Sequence, residues 1–362
     1  MTRRPAIIPS GSGRVPDLSL RGMSGEPLQS DSTPPAKRDW SWLLGAAVSL
    51  AALVIAVWGL DVRAFLEVLA RAAYWLLIPA YLFQLAGIAS RAQGWRSLLG
   101  PSVGFPRAFA ALNEGYLLNN ILPFRLGELG RAYLVGYGTG IGTSRALGSI
   151  VVERMVDVFI AVLSLLVTLP LFAPPAWARR ATLVVGLGLA LLALVLILAL
   201  RYRASWLARL RRLPGSLASR IAGIAERFLI GLEEARKGAR LGRAFLWLLL
   251  GWACAWIQIL IYLRMFGAEG SFAVSVFCLG VIALGGAVPS SPGAVGVYEL
   301  AGVAALTFLG YSREVALGVV VTAHLVQYSL TVILGAAALS REGRSLGDLA
   351  RAARGLVLRP AA

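Results

Sequence analysis

Cysteine and histidine are nearly absent from this 362-residue chain, and charge is scarce. The two cysteines, Cys254 and Cys278, both fall inside apolar runs, so neither a disulfide framework nor a zinc cluster is available. With His324 as the only histidine, no His-based metal site or catalytic dyad forms. Ser290 and Ser291 lack a G-x-S-x-G context, and the glycines at 138, 140 and 142 complete no phosphate-binding fingerprint. No cofactor is expected. Charged residues make up 15% of the chain, against about 25% in soluble domains. With a mean hydropathy of +0.73, that excludes a disordered chain, a secreted disulfide scaffold and an ordinary cytosolic enzyme. Alternating ten-residue strands are missing, which excludes a membrane β-barrel.

What the chain has is apolar length. About 20 apolar residues cross a bilayer, and runs of that size fall at 42–60, 72–90, 158–177, 181–200, 244–263 and 315–340. The expected fold is all-α: a polytopic membrane helical bundle with about six full spans and two broken, re-entrant elements. Residues 1–39, rich in Pro, Ser, Gly and Arg, read as a disordered tail without a cleavable signal. Residues 40–340 form the membrane domain, and 341–362 a basic tail.

The net charge of +17 is distributed for a membrane surface, not for nucleic acid. Residues 201–243 hold 11 Lys/Arg against three acids, and both ends of the chain are basic. The positive-inside rule places all three blocks in the cytoplasm, which requires residues 106–135 and 271–310 to dip in and return. Arg91 then marks the cytoplasmic end of the second span. Within the connector, Leu217, Ile221, Ile224, Phe228 and Leu232 recur at helical spacing, the pattern of an amphipathic helix at the interface.

Polar residues within apolar stretches carry the functional signal, since a charge at the centre of a spanning helix costs about 2.5–3.5 kcal/mol on insertion scales. Glu153, Arg154 and Asp157 share one stretch, with Arg154 and Asp157 spaced for an internal ion pair. The excess negative charge calls for another arginine. Its expected source is the segment containing Glu114, Asn119, Asn120, Pro123, Arg125, Gly127, Glu128 and Arg131, where Pro123 and Gly127 break the helix and Arg125, Glu128 and Arg131 are spaced for a ladder. A second break falls at Pro289, Ser290, Ser291, Pro292 and Gly293, followed by Gly296 and Glu299. Broken backbone at membrane depth is tolerated only where it is buried or lines a cavity. Tyr298, His324, Gln327 and Tyr328 read as packing or interfacial residues. The eight charges in these segments sum to −2, which suits a zwitterionic or cationic headgroup or a titrating carboxylate.

These motifs, N-E…N-N-x-x-P-x-R-x-G-E-x-x-R, then E-R-x-x-D, then P-x-x-P-G-x-x-G-x-x-E, resemble the membrane domain of lysylphosphatidylglycerol synthases and its stand-alone flippase-like relatives. The resemblance covers about residues 40–340. It implies movement of a phospholipid or lipid-linked headgroup between leaflets of the cell membrane, with both chain ends cytoplasmic. The partner it implies is a membrane lipid, with an aminoacylated or glycosylated headgroup among the candidates; homo-oligomerisation is left open. Aminoacyl transfer belongs to a separate soluble domain in that family and is not expected from a chain ending about 22 residues past its last span. A membrane enzyme using Glu128 or Asp157 as base, or an accessory subunit acting on a lipid-linked substrate, remains the alternative.

Overall fold

The computed structural model describes residues 41–122, 126–172, 239–286 and 291–341, with isolated positions among 176–205 and at 343 and 347. The N-terminal tail, most of the predicted 181–200 span, the amphipathic connector and most of the basic C-terminal tail lie outside the described residues, as do Pro123, Arg125 and Pro289.

The described elements are all helices joined by short turns, and no strand occurs among the described residues. Helix α1 (Ser41–Val57) turns sharply into α2 (Val62–Ala70), the two axes meeting at 83°. Asp61 caps α2 by accepting from the N–H groups of Arg63 and Ala64. None of its residues is buried, as suits a helix lying along an interface. Its short, charge-bearing run had no counterpart among the expected spans.

From there the same order of elements appears twice. A long helix α3 (Leu77–Leu99) leads into two short ones, α4 (Phe105–Ile121) and α5 (Leu126–Gly138), and then into long α6 (Thr143–Thr168). Past the connector, long α7 (Ala239–Met265) leads into short α8 (Phe272–Gly285) and α9 (Val297–Phe308), and then into long α10 (Arg313–Arg341). At 1.5 Å per residue the four short helices reach roughly 18–26 Å, less than the hydrocarbon core of about 30 Å. Each pair instead doubles back. Gly115 packs against Arg131 while Asn119 packs against Gly127, and Gly285 packs against Ala301 while Ile282 packs against Gly302. Both broken elements expected from the sequence are therefore antiparallel helical hairpins.

The two units also interlock reciprocally. α3 lies along α7, α4 along α10, and α8 along α6. Small residues permit these approaches: Gly87 faces Cys254 and Gly251, Gly280 faces Leu165 and the Ala161 carbonyl, and Gly335 faces the Asn113 carbonyl.

Three described helices are long and apolar enough to cross a membrane: 143–172, 239–265 and 313–341, with the bent α1–α2 pair as a fourth. They coincide with four of the expected spans. The expected 72–90 span is shifted. It opens with a 3₁₀ turn at Tyr74–Leu76, and α3 runs on through Arg91 and Arg96 to Leu99. Arg91 is thus not the rim of a span but a residue well inside a helix.

Candidate functional site

One face of α6 carries Glu153 and Asp157, a turn apart, with Arg154 beside them. Glu153 is fully buried and still surrounded by cations. Its Oε2 accepts from Arg131 Nη1 at 3.0 Å; its Oε1 accepts from Arg154 Nη2 at 2.5 Å and Arg91 Nη2 at 3.4 Å. Asp157 takes both arms of the Arg91 guanidinium, at 3.1 and 2.5 Å. It also accepts from Trp252 Nε1 at 3.0 Å and lies 3.1 Å from Arg154 Nη2. Four donors fill its two oxygens.

Arg131, 2% exposed, is held from its other side by Trp95, whose ring centre lies 4.7 Å from the guanidinium carbon. Arg91 also donates from Nε to the Tyr116 hydroxyl at 3.1 Å. Glu128 approaches Arg154 at 3.7 Å. α3, α5 and α6 are thereby tied by three arginines and three carboxylates whose charges cancel.

Two sequence expectations change here. The demand for another arginine is met by Arg131, as expected, and by Arg91, which was not among the candidates. The ladder through Arg125, Glu128 and Arg131 is not what the described members make: Glu128 turns to Arg154, and Arg131 to Glu153. The negative excess is also removed at this cluster once Arg91 is counted.

The second hairpin has its own polar knot. Gly293 and Gly296 hold positive φ angles of 70° and 88°, and Ala294 sits at 58°, a conformation costly for a residue with a Cβ. Glu299 closes the turn by accepting from the Gly296 N–H at 2.6 Å, capping the start of α9. Its other oxygen lies 2.5 Å from His324 Nδ1, and His324 Nε2 donates to the Gly293 carbonyl at 3.0 Å. Glu299 and His324 are both buried, and Tyr298 lies against the imidazole at 4.5 Å between ring centres. His324 is hydrogen-bonded, as expected of a packed histidine, but its carboxylate partner was not foreseen. From α1, the Ser49 hydroxyl accepts from the Ser291 N–H at 2.9 Å.

Between these clusters lies a cavity of about 530 Å³. Asn119, Asn120 and Leu122 reach it from the tip of the first hairpin; Ser291, Gly293 and Ala294 reach it from the second. Arg91, Arg154 and Glu128 form its charged side, with Tyr116 and Trp252 beside them. α3 contributes Gln84, Gly87, Ile88 and Arg91 at helical spacing, and α7 contributes Trp252, Ala255, Gln258, Ile259 and Tyr262 along one stripe. Tyr298 and Gln327, read from the sequence as packing or interfacial residues, also line the cavity.

The other sequence candidates stand behind that lining. Glu153, Asp157 and Arg131 support the arginines, while Glu299 and Gly296 support the second tip, where Pro292 opens a 3₁₀ turn. Gly127 presses on Gly115 and donates its N–H to Asn119 Oδ1 at 2.8 Å. Glu114 is fully buried within α4. α10 joins the two tips: Tyr328 donates to the Asn120 carbonyl at 2.8 Å, and Asn120 Nδ2 donates to Thr331 at 3.0 Å. Among the described residues no group of three His, Cys, Asp or Glu side chains is placed to hold a metal ion.

Comparison with known families agrees with the motif reading. Residues 42–335 match the family described as the lysylphosphatidylglycerol synthase TM region, so the chain belongs to that family of membrane proteins tied to lipid biosynthesis or translocation. No curated protein and no solved structure matches the chain.

Proposed function

We propose that the protein is a lipid flippase, moving the headgroup of a membrane lipid between leaflets through the cavity enclosed by the two hairpin tips. The observation that carries this reading is the convergence of both tips and the arginine-rich cluster on one chamber lined by charged, polar and apolar side chains. A headgroup stripped of water inside hydrocarbon loses several kcal/mol for each unsatisfied polar group. A chamber lined by guanidinium, amide and hydroxyl groups replaces that hydration. Arg154 presents a guanidinium fork whose Nη1 is held only loosely by Glu128, at 3.7 Å, and can turn to phosphate, while the Arg91 fork, already gripping Asp157, adds positive charge beside it. Glu153, Asp157 and Arg131 keep those forks aimed without entering the chamber.

The enzyme alternative loses support at Asp157, whose oxygens are filled by Arg91, Arg154 and Trp252, leaving no lone pair free to act as a base. The test is transbilayer movement of fluorescent phospholipid in proteoliposomes, read by dithionite quenching. Wild-type protein is expected to speed exchange well above protein-free vesicles. Arg154→Ala is expected to lower the rate at least tenfold while keeping a monodisperse elution profile. Full transport by Arg154→Ala and by Asn119→Ala together would sink the reading.

A further inference from the structure

We infer that lipid movement is coupled to a proton, and that the proton site is the buried pair of Glu299 and His324 behind the second tip. This rests on the flippase reading and adds the coupling ion.

The pair differs in kind from the charged cluster across the chamber. In that cluster each carboxylate is joined to an arginine, and a guanidinium does not release its proton in a protein. Glu299 and His324 can both exchange one. As they stand they hold two protons between them. His324 Nε2 carries the first and donates it to the Gly293 carbonyl at 3.0 Å. The second lies between Nδ1 and Glu299 Oε1, because two bare lone pairs facing each other at 2.5 Å would repel. When this shared proton leaves, a neutral imidazole and a carboxylate remain with their lone pairs opposed, and the contact opens. Glu299 also holds the Gly296 N–H and His324 the Gly293 carbonyl, so the step loosens both glycines of the tip. The proton has a short way out, since Gly293 and Tyr298 line the chamber. Its return restores the contact and closes the tip.

Little else beside the pair changes charge around neutral pH. Tyr298 and Tyr328 face the imidazole, with ring centres at 4.5 and 6.1 Å. Tyr262 of α7 stands within electrostatic reach of Tyr298 and of Tyr81 of α3. Phenols stay neutral at pH 7. α1 packs on α9 and carries no titratable side chain. α8 carries only Cys278, which interacts with Tyr311 ahead of α10. Asp61, the cap of α2, meets Glu314, about 15 Å along α10 from His324. α4 approaches through Asn120; its acid, Glu114, follows Asn113, which packs on Gly335 about three turns past His324. Arg91, Arg154 and Glu128 belong to the far wall of the chamber. Ionisable pairs at membrane depth are the groups through which transporters pass protons, and this one is tied directly to a re-entrant tip.

The test has two arms, both on full-length protein. In vesicles carrying short-chain labelled phosphatidylglycerol or phosphatidylethanolamine, transbilayer movement is read by back-extraction into albumin, with protein-free vesicles subtracted. The rate is expected to rise about fivefold from about pH 6 to about pH 8, the interval in which an imidazole exchanges its proton. Glu299→Gln keeps the shape of the pair: its amide oxygen accepts from Gly296 and its NH₂ donates to Nδ1, supplying a proton that cannot leave. Movement by this variant is expected to be slow and the same at both pH values. The second arm needs no variant. His324 is the only histidine, so ¹⁵N-histidine labelling of protein purified on a histidine-free tag gives one imidazole, expected to lose its Nδ1 proton over the interval in which the rate climbs. A wild-type rate independent of pH overturns the coupling and leaves translocation standing. A Glu299→Gln variant with the full pH response, or an imidazole whose protonation stays constant while the rate changes, moves the proton away from this pair and overturns the assignment. If neither lipid crosses faster than in protein-free vesicles, the flippase reading falls and takes the coupling with it.

Discussion

Arg91 grips Asp157 with both guanidinium arms across 66 residues of sequence, joining α3 to α6. The same arginine donates to Tyr116 and approaches Glu153, so its removal takes one cation from two carboxylates at once. Breaking one side of a buried ion pair typically costs about 3–5 kcal/mol. Arg91→Ala is expected to lose stability on that scale, read as earlier thermal unfolding in detergent. Arg91→Lys is expected to recover little of it, because a single ammonium cannot reproduce the fork. A lysine variant as stable as wild type would show that charge alone matters here.

His324 joins α10 to the second tip. Its Nε2 meets a carbonyl, which can only accept, so that nitrogen carries a proton. Replacing the ring with His324→Phe keeps a flat side chain beside Tyr298 but leaves the Glu299 Oε1 and the Gly293 carbonyl without this partner. The expected loss is roughly 2–3 kcal/mol, the scale for orphaned groups that include a charge. Transport is expected to fall with it, since Gly293 lines the cavity. An unfolding midpoint within error of wild type would dismiss the knot as a structural tie.

The first hairpin depends on contact between two glycines. A methyl group on Gly127 would sit 1.9 Å from the Gly115 carbonyl oxygen, a backbone atom that cannot swing away. Gly127→Ala is expected to cost more than about 3 kcal/mol, beyond ordinary overpacking. Gly242→Ala in α7 is the control, because nothing lies within 4 Å of the added methyl. It should be neutral or stabilise by up to about 1 kcal/mol through helix propensity. Similar thermal shifts for the two variants would contradict the close packing of α4 on α5.

Tyr328 and Thr331 both hold Asn120, through its carbonyl and its amide. Tyr328→Phe and Thr331→Val should each cost about 0.5–1.5 kcal/mol. The double variant should depart from their sum, since the two share one residue. Strict additivity in a double-mutant cycle would mean that the two bonds act independently.

The helical class and four of the spans could be read from the sequence because uninterrupted apolar length admits few other structures. The breaks were legible for a similar reason: a proline, Pro123 or Pro292, cannot continue a regular helix, although Gly127, read with Pro123 as a breaker, lies inside α5. Glu153, Arg154 and Asp157 stood out as charges that an apolar stretch must neutralise. Their main partner did not. Arg91 follows immediately after an apolar run, where an arginine ordinarily signals a rim, and only carboxylates more than 60 residues away reveal that the helix continues. The His324–Glu299 pair was hidden in the same way. Each residue is unremarkable alone, and the contact depends on how α10 crosses the second hairpin.

His324, Tyr328 and Thr331 occupy successive turns on one side of α10, and between them they hold Gly293 and Asn120. Neither re-entrant tip is therefore free to travel alone: a tilt of this one helix drags both, like two doors hung on a common pin. Under the proposed lipid-moving function, cargo that loosens the grip at one doorway would be felt at the other.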